Sequence, residues 1–218
     1  MSQLNYRLIS YIIGLLLLFN ATAIFLTSFV SYYFSDGFFN NVLKSGLICF
    51  ALGLFVMFFS KNPKKIINRR DGYLVVVIGW LTMVFSGMLP YIFTNTIDNI
   101  PDLIFETMSG YTTTGSSIIS DIEALPESII FWRSMTHWLG GMGIIVLAIA
   151  ILPMLGIGGM QLFSAEAPGS GISGDKIHPR ISNTAKRLWF IYFGLTLLET
   201  LLLNIAGMSF FDAINHSM

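Results

Sequence analysis

The sequence predicts an all-α integral membrane protein: five transmembrane helices, a short re-entrant helix and loop between the third and fourth, and the start of a second such helix at the C-terminal end. Three observations lead there. Of 218 residues, 54% are hydrophobic and 11% charged, and the mean hydropathy is +0.72, whereas soluble domains carry about a quarter charged residues. Uncharged runs recur at lengths near the roughly 20 residues that a helix needs to cross a bilayer core of about 30 Å. Between two of these runs sits an apolar segment about half as long, followed by a Thr/Gly/Ser string. The composition excludes a water-soluble globular enzyme. Twelve Lys+Arg cancel twelve Asp+Glu, so nothing points to nucleic acid or another polyanion as partner.

The runs follow one another in a simple order. Leu8 to Ser35 carries no charge and is followed by no small-residue cleavage site, so it reads as a permanent helix rather than a signal peptide. Ser45 to Ser60 is shorter but gains Val42 and Leu43 beyond Lys44. Gly72 to Ile97 and Ser134 to Ala165 are uncharged, and Leu188 to Gly207 is interrupted only by Glu199. The single cysteine, Cys49, lies in an apolar run and reads as a packed or lipid-facing hydrophobe.

Orientation follows from basic residues in short loops. Lys61 to Arg70 holds five of the twelve, and Lys176, Arg180, Lys186 and Arg187 form a second group; both are expected in the cytoplasm. Thr94 to Ser128 holds Asp98, Asp102, Glu106, Asp121, Glu123 and Glu127 with no Lys or Arg, and is expected outside. With Arg7 and the N-terminus inside, five crossings keep every basic loop on one side. The expected organisation is two leading helices and a basic loop over residues 1–71, a span/loop/span unit over 72–165, a connector over 166–187 and a second, truncated unit over 188–218.

The external stretch is too long for a plain helix-to-helix connection. Asn99 suits an N-cap, Pro101 the first helical turn and Asp102 the positive end of a helix dipole. Leu103, Ile104, Phe105, Met108 and Tyr111 continue a helix of about ten residues, about 15 Å long, which reaches halfway through a membrane. The string Thr112 to Ser117 and the turn at Asp121 to Glu123 then return outward. Backbone without regular hydrogen bonding survives at such depth only where protein or a water-filled cavity surrounds it.

These parts suit a cation. Backbone carbonyls replace the water around an ion without carrying full charge. Consecutive threonines favour extended backbone, and their hydroxyls add ligands. Gly115 permits a positive φ that aims a carbonyl inward. The short helix points its negative end at the same place, and external acids concentrate cations. A phosphate-cradling loop is disfavoured, because the string lacks the Lys of a Walker loop. An internal repeat adds weight: Asp102-Leu-Ile-Phe-Glu-Thr-Met108 aligns without gaps with Asp212-Ala-Ile-Asn-His-Ser-Met218.

On three stretches the sequence resembles the Trk/Ktr/HKT superfamily of potassium transporters, specifically its TrkH-type subunits. They are Phe105 to Ser117; Phe131-Trp-Arg-Ser-Met-Thr-His-Trp-Leu-Gly-Gly-Met-Gly-Ile-Ile-Val146; and Pro179 to Trp189. The resemblance implies two leading helices before four span/pore-helix/span units whose loops jointly form a selectivity filter. It implies potassium, as cargo rather than cofactor, at Thr113, Thr114, Gly115 and Ser116, with Thr112, Glu106 and Arg133 supporting the filter or its vestibule. It further implies a bacterial plasma (inner) membrane location, a homodimer and a cytosolic TrkA-type nucleotide-binding regulator. The chain stops where a second filter is expected, so the alternative is a non-conducting remnant or an interaction module that joins full-length subunits.

Remaining residues have plainer readings. Glu199 in mid-span is expected in a structural pairing, with a conduction role as the rival. His137 is expected to pack and hydrogen-bond. Gly140, Gly141 and Gly143 are expected to admit a close neighbour, and Pro153, Gly156, Gly158 and Gly159 to loosen or end the fourth span. Gly171-Ile-Ser-Gly174 resembles a serine-protease string but lies in a polar loop, so nucleophilic chemistry at Ser173 is not expected.

Overall fold

The computed structural model describes residues 4–60, 69–155 and 177–218. Among the described residues the chain is helical, with no strand. It forms two compact units, Met1–Gly140 and Gly141–Met218.

The first unit opens with a helical hairpin. Helix α1 (Tyr6–Phe34) starts at Asn5, whose side chain accepts a hydrogen bond from the Leu8 N–H at 3.2 Å. The Asn5 N–H donates to Asp71 Oδ1 at 3.1 Å, tying this start to that of α3. Helix α2 (Phe39–Phe59) lies along α1. Glycines set their spacing: a Cβ on Gly14 would lie 2.7 Å from Met57 Cγ, and one on Gly53 2.9 Å from Leu18 Cδ2. Lipid tails are as apolar as leucine, so helices in a membrane associate through such close small-residue contacts. Leu26, Phe29, Leu47, Phe55 and Phe58 are exposed on the same pair, as suits side chains facing lipid.

Helix α3 (Arg69–Gly87) and helix α4 (Leu89–Thr94) occupy the third uncharged run, which the sequence presents as one span. The break at Met88 has a local cause. Pro90 has no N–H to return to the Ser86 carbonyl. The neighbouring Gly87 carbonyl instead accepts from Trp132 Nε1 at 3.0 Å. Helix α5 (Ile100–Tyr111) is the predicted short helix, 12 residues and about 18 Å long. Asn99 stands at its N-cap, but its side chain makes no capping bond; Pro101 and Asp102 occupy the first turn as expected. Helix α6 (Glu127–Leu155) begins seven residues before the uncharged run and continues through Pro153, so that proline does not end it.

The second unit contains helix α7 (Ile177–Ile205) and helix α8 (Phe210–His216). Ser209 caps α8 by accepting from the Asp212 N–H at 3.1 Å, while its hydroxyl donates to Asp212 Oδ2 at 2.7 Å. Thr200 Oγ1 and Ser217 Oγ, 2.6 Å apart, fasten α8 back onto α7. The aligned repeats therefore both enter helices, with Asp102 and Asp212 each in a first turn where the helix dipole favours a carboxylate.

Four stretches are long and apolar enough to cross a membrane among the described residues: Tyr6–Phe34, Phe39–Phe59, Arg70–Thr94 and Thr184–Ile205. The chain is a multi-pass membrane protein. The basic residues Lys61, Lys64, Lys65 and Lys176, the glycines Gly156, Gly158 and Gly159, and the Gly171–Gly174 string lie outside the described residues.

Candidate functional site

The site is built on the C-terminal end of α5. Three glycines let that end sit against its neighbours. A Cβ on Gly87 of α3 would lie 2.5 Å from Tyr111 Cε2, a Cβ on Gly110 would collide with Thr136 Oγ1 of α6, and one on Gly140 of α6 would collide with the Tyr111 carbonyl oxygen. Gly140, one of the glycines expected to admit a neighbour, is where α6 meets the α5 backbone.

Beyond Tyr111 the chain turns sharply. Thr112 is the C-cap, with φ −85° and ψ 1°, and its N–H donates to the Met108 carbonyl at 2.9 Å. The Thr113 N–H donates to Gly110 O at 2.9 Å and the Thr114 N–H to Ser109 O at 3.0 Å. This crossed pair is a Schellman motif, which satisfies the last helix carbonyls and needs a left-handed residue between them. That residue is Thr113, at φ 56°. The sequence predicts extended threonines here, and the structure corrects this at Thr112 and Thr113: terminating the helix outweighs the preference of β-branched residues for extended backbone. Gly115, at φ 77°, adopts the positive φ expected of it.

Side chains fasten both flanks of this turn. Thr112 Oγ1 donates to Met108 O at 2.8 Å and lies 2.8 Å from Thr114 Oγ1. Ser109 Oγ donates to Ser116 O at 2.6 Å. Glu106, its side chain 1% exposed, receives Ser117 Oγ on both carboxylate oxygens at 3.0 Å and the Ile118 N–H on Oε2 at 3.0 Å. Arg133 Nε of α6 donates to Glu106 Oε1 at 2.8 Å. The buried carboxylate is thus paired and almost fully hydrogen-bonded, the condition under which burial of a charge is tolerated. Among the described residues, the carbonyls of Thr113, Thr114 and Gly115 accept no hydrogen bond, and these residues are exposed.

A second carboxylate organises the N-terminal end of α6. Asp36, in the α1–α2 connection, accepts from the Phe38 N–H on Oδ1 and from the Ser128 N–H on Oδ2, both at 3.0 Å, and from Ser31 Oγ. It therefore sits at the N-terminal end of α6. Burial alone would raise its pKa, but hydrogen bonds from Ser128, Ser31 and the Phe38 backbone outweigh this and hold it below the usual 3.8.

Other expected residues fall apart from this cluster. His137 Nδ1 lies 2.9 Å from the Arg133 carbonyl and acts within its own helix. Cys49 is buried, its Sγ donating to Leu17 O at 3.3 Å. Glu199 is exposed on α7 and forms no ion pair among the described residues. The sequence reading assigns no role to Asn20, Ser86, Ser109 or Trp132. The usable signal was a polar side chain inside an apolar helical run, as Asn20 and Ser86 both are.

Membrane-crossing helices that grip a short helix, whose C-terminal turn is held open by a buried ion pair, define a class of membrane protein rather than a soluble fold. The sequence matches the family described as TrkH: Cation transport protein over residues 39–218, and the chain belongs to that family. It is 41% identical over 215 residues to the Trk system potassium uptake protein TrkH of Escherichia coli (strain K12), and 40% identical over 215 residues to that of Halomonas elongata. Each match covers 98% of this chain and 44% of the relative. The crystal structure of the potassium transporter TrkH from Vibrio parahaemolyticus superposes with a TM-score of 0.84 at 37% identity, covering 98% of this chain and 42% of that one. The chain thus spans less than half the length of these relatives.

Proposed function

We propose that this chain forms the first part of a potassium uptake pathway, in which dehydrated potassium passes the carbonyls of Thr113, Thr114 and Gly115, with Ser116 closing the site. One observation carries this: three consecutive carbonyls that accept no hydrogen bond among the described residues, on a turn whose flanks are pinned by Glu106, Arg133 and Ser109. Oxygens held by their surroundings can take the place of a hydration shell. The α5 dipole ends at the same turn and favours a cation.

In this reading α5 is a pore helix and α8 the beginning of a second one. Helix α6, 29 residues long, is the fourth of five spans, and α7 is the fifth. The N-terminus and basic loops are cytoplasmic in a bacterial inner membrane. The division at residues 1–71, 72–165, 166–187 and 188–218 follows the units of the pathway. Further units complete the filter, and the assembled protein is a homodimer with a TrkA-type regulator. The similarity to proteins named for potassium uptake supports the choice of ion.

The test is potassium uptake in a host deficient in potassium transport. The chain is expressed alone and joined in frame to the remaining C-terminal part of the E. coli relative. Uptake is expected from the joined chain, and Gly115→Ser is expected to lower its preference for potassium over sodium. Unchanged selectivity in that variant, or no uptake from the joined chain, overturns the proposal. Reduced uptake by the full-length E. coli relative, supplied to the same host, when the chain alone is co-expressed favours the interaction-module alternative.

A further inference from the structure

Tyr111, the last residue of α5, is tied to α1 and α3 by a hydrogen-bond chain that lies wholly inside the protein. Its hydroxyl donates to Asn20 Oδ1 of α1 at 2.7 Å. Asn20 Nδ2 donates to Ser86 Oγ of α3 at 2.8 Å. Ser86 Oγ donates in turn to the Thr82 carbonyl at 2.7 Å. Tyr111 and Asn20 have no exposed surface, and Ser86 is 6% exposed. The donors and acceptors run in one direction, so the orientation of the Asn20 amide is dictated at both ends. Tyr111 is held on two further sides, by Gly87 against its ring and by Gly140 against its carbonyl.

From this geometry we infer that Asn20 and Tyr111 are positioning residues for ion discrimination: through the Tyr111 hydroxyl, a leading helix that contributes nothing to the filter itself fixes the depth and rotation of the Thr112–Ser116 turn. The inference rests on the filter reading above. A ring of carbonyls discriminates between alkali ions only while its oxygens hold their spacing, and the turn begins one residue after Tyr111. The clamp at Glu106 and Ser109 holds the far flank of the turn; the chain through Asn20 holds the near one. Both anchors are needed because Thr113 to Gly115 carry no hydrogen bonds at their carbonyls.

The experiment measures relative rubidium and sodium uptake, together with the amount of protein in the membrane, for the joined chain and its variants Tyr111→Phe, Asn20→Leu and the double variant. Tyr111→Phe removes one oxygen atom and keeps the ring in its socket, so it separates positioning from folding. Each single variant is expected to lower rubidium-over-sodium selectivity by about fivefold at unchanged protein level, the scale of coupling mutations away from a ligand. The double variant is expected to match the worse single one, because both remove the same tie. Unchanged selectivity in Tyr111→Phe, or additive losses in the double variant, overturns the inference. If Gly115→Ser loses selectivity while Tyr111→Phe keeps it, this inference fails and the filter reading stands; if neither loses it, both fail.

Discussion

The end of α5 and the end of α7 are the same turn made from different residues. At α7 the Gly207 N–H donates to Asn204 O and the Met208 N–H to Leu203 O, both at 3.1 Å, around Gly207 at φ 104°. At α5 the equivalent bonds close around Thr113 at φ 56°. The turn after α4 is a third example, with Asn95 at φ 51° between Ile92 and Tyr91 carbonyls. Glycine and asparagine enter the left-handed region readily, whereas a β-branched residue there is an outlier that its surroundings must impose. The difference separates a turn that only ends a helix from one whose side chains are wanted for another purpose. At Thr113, which is itself exposed, the flanks of the turn are pinned through Glu106, Arg133, Ser109 and Ser117, while Gly207 has no heavy atom within 4 Å of where a Cβ would stand.

Four experiments break or sharpen this contrast. The largest effect is expected from Glu106→Ala, which strands Arg133 and frees Ser117 and Ile118; breaking a buried pair in this way costs about 3–5 kcal/mol. Thermal unfolding in detergent should show it, together with loss of uptake by the joined chain. Gly140→Ala drives a methyl group into the Tyr111 carbonyl, and overpacking of this kind costs about 1–3 kcal/mol; a stability equal to the parent's would show that α6 yields there. The direct comparison of turns is Gly207→Ala against Thr113→Gly. The first should destabilise by about 1–2 kcal/mol. The second should be neutral or stabilising by less than about 1 kcal/mol, since relief of strain is partly offset by greater freedom of the unfolded chain. If Thr113→Gly destabilises by as much as Gly207→Ala, the strain at Thr113 is not real.

The smallest effect concerns pH. Asp36 has a lowered pKa in the folded protein, so its contribution to stability is full above about 3.8, the unfolded value, and disappears as pH falls through the lower folded value. Asp36→Asn should therefore flatten the acid limb of the stability profile below about pH 4. An unchanged acid limb would mean that the hydrogen bonds at Asp36 contribute nothing.

Much of this was legible beforehand, for identifiable reasons. Uncharged runs locate the helices because charge in a bilayer is excluded by energy, and a run of half the usual length stands out against that rule. The resemblance placed Glu106 and Arg133 together beside the loop, and the structure pairs them, Arg133 Nε to Glu106 Oε1 at 2.8 Å. What escaped was set by distant backbone or by competition. The threonines read as extended, yet helix termination turned Thr112 and Thr113. Asn99 read as a cap, and its side chain caps nothing. Asn20 could not be assigned a role, because its partners Ser86 and Tyr111 lie 66 and 91 residues further along the chain, a separation that no local pattern encodes.

That separation also has a meaning for biosynthesis. A ribosome makes about 5–20 residues per second, so the amide of Asn20 is polymerised roughly 5 to 18 s before the tyrosine that will engage it, at that pace and over the 91 residues between them. Through that interval the amide of Asn20 lacks one or both of the two partners it has in the folded chain. Its folded-state partners, Ser86 and Tyr111, arrive only with the later helices.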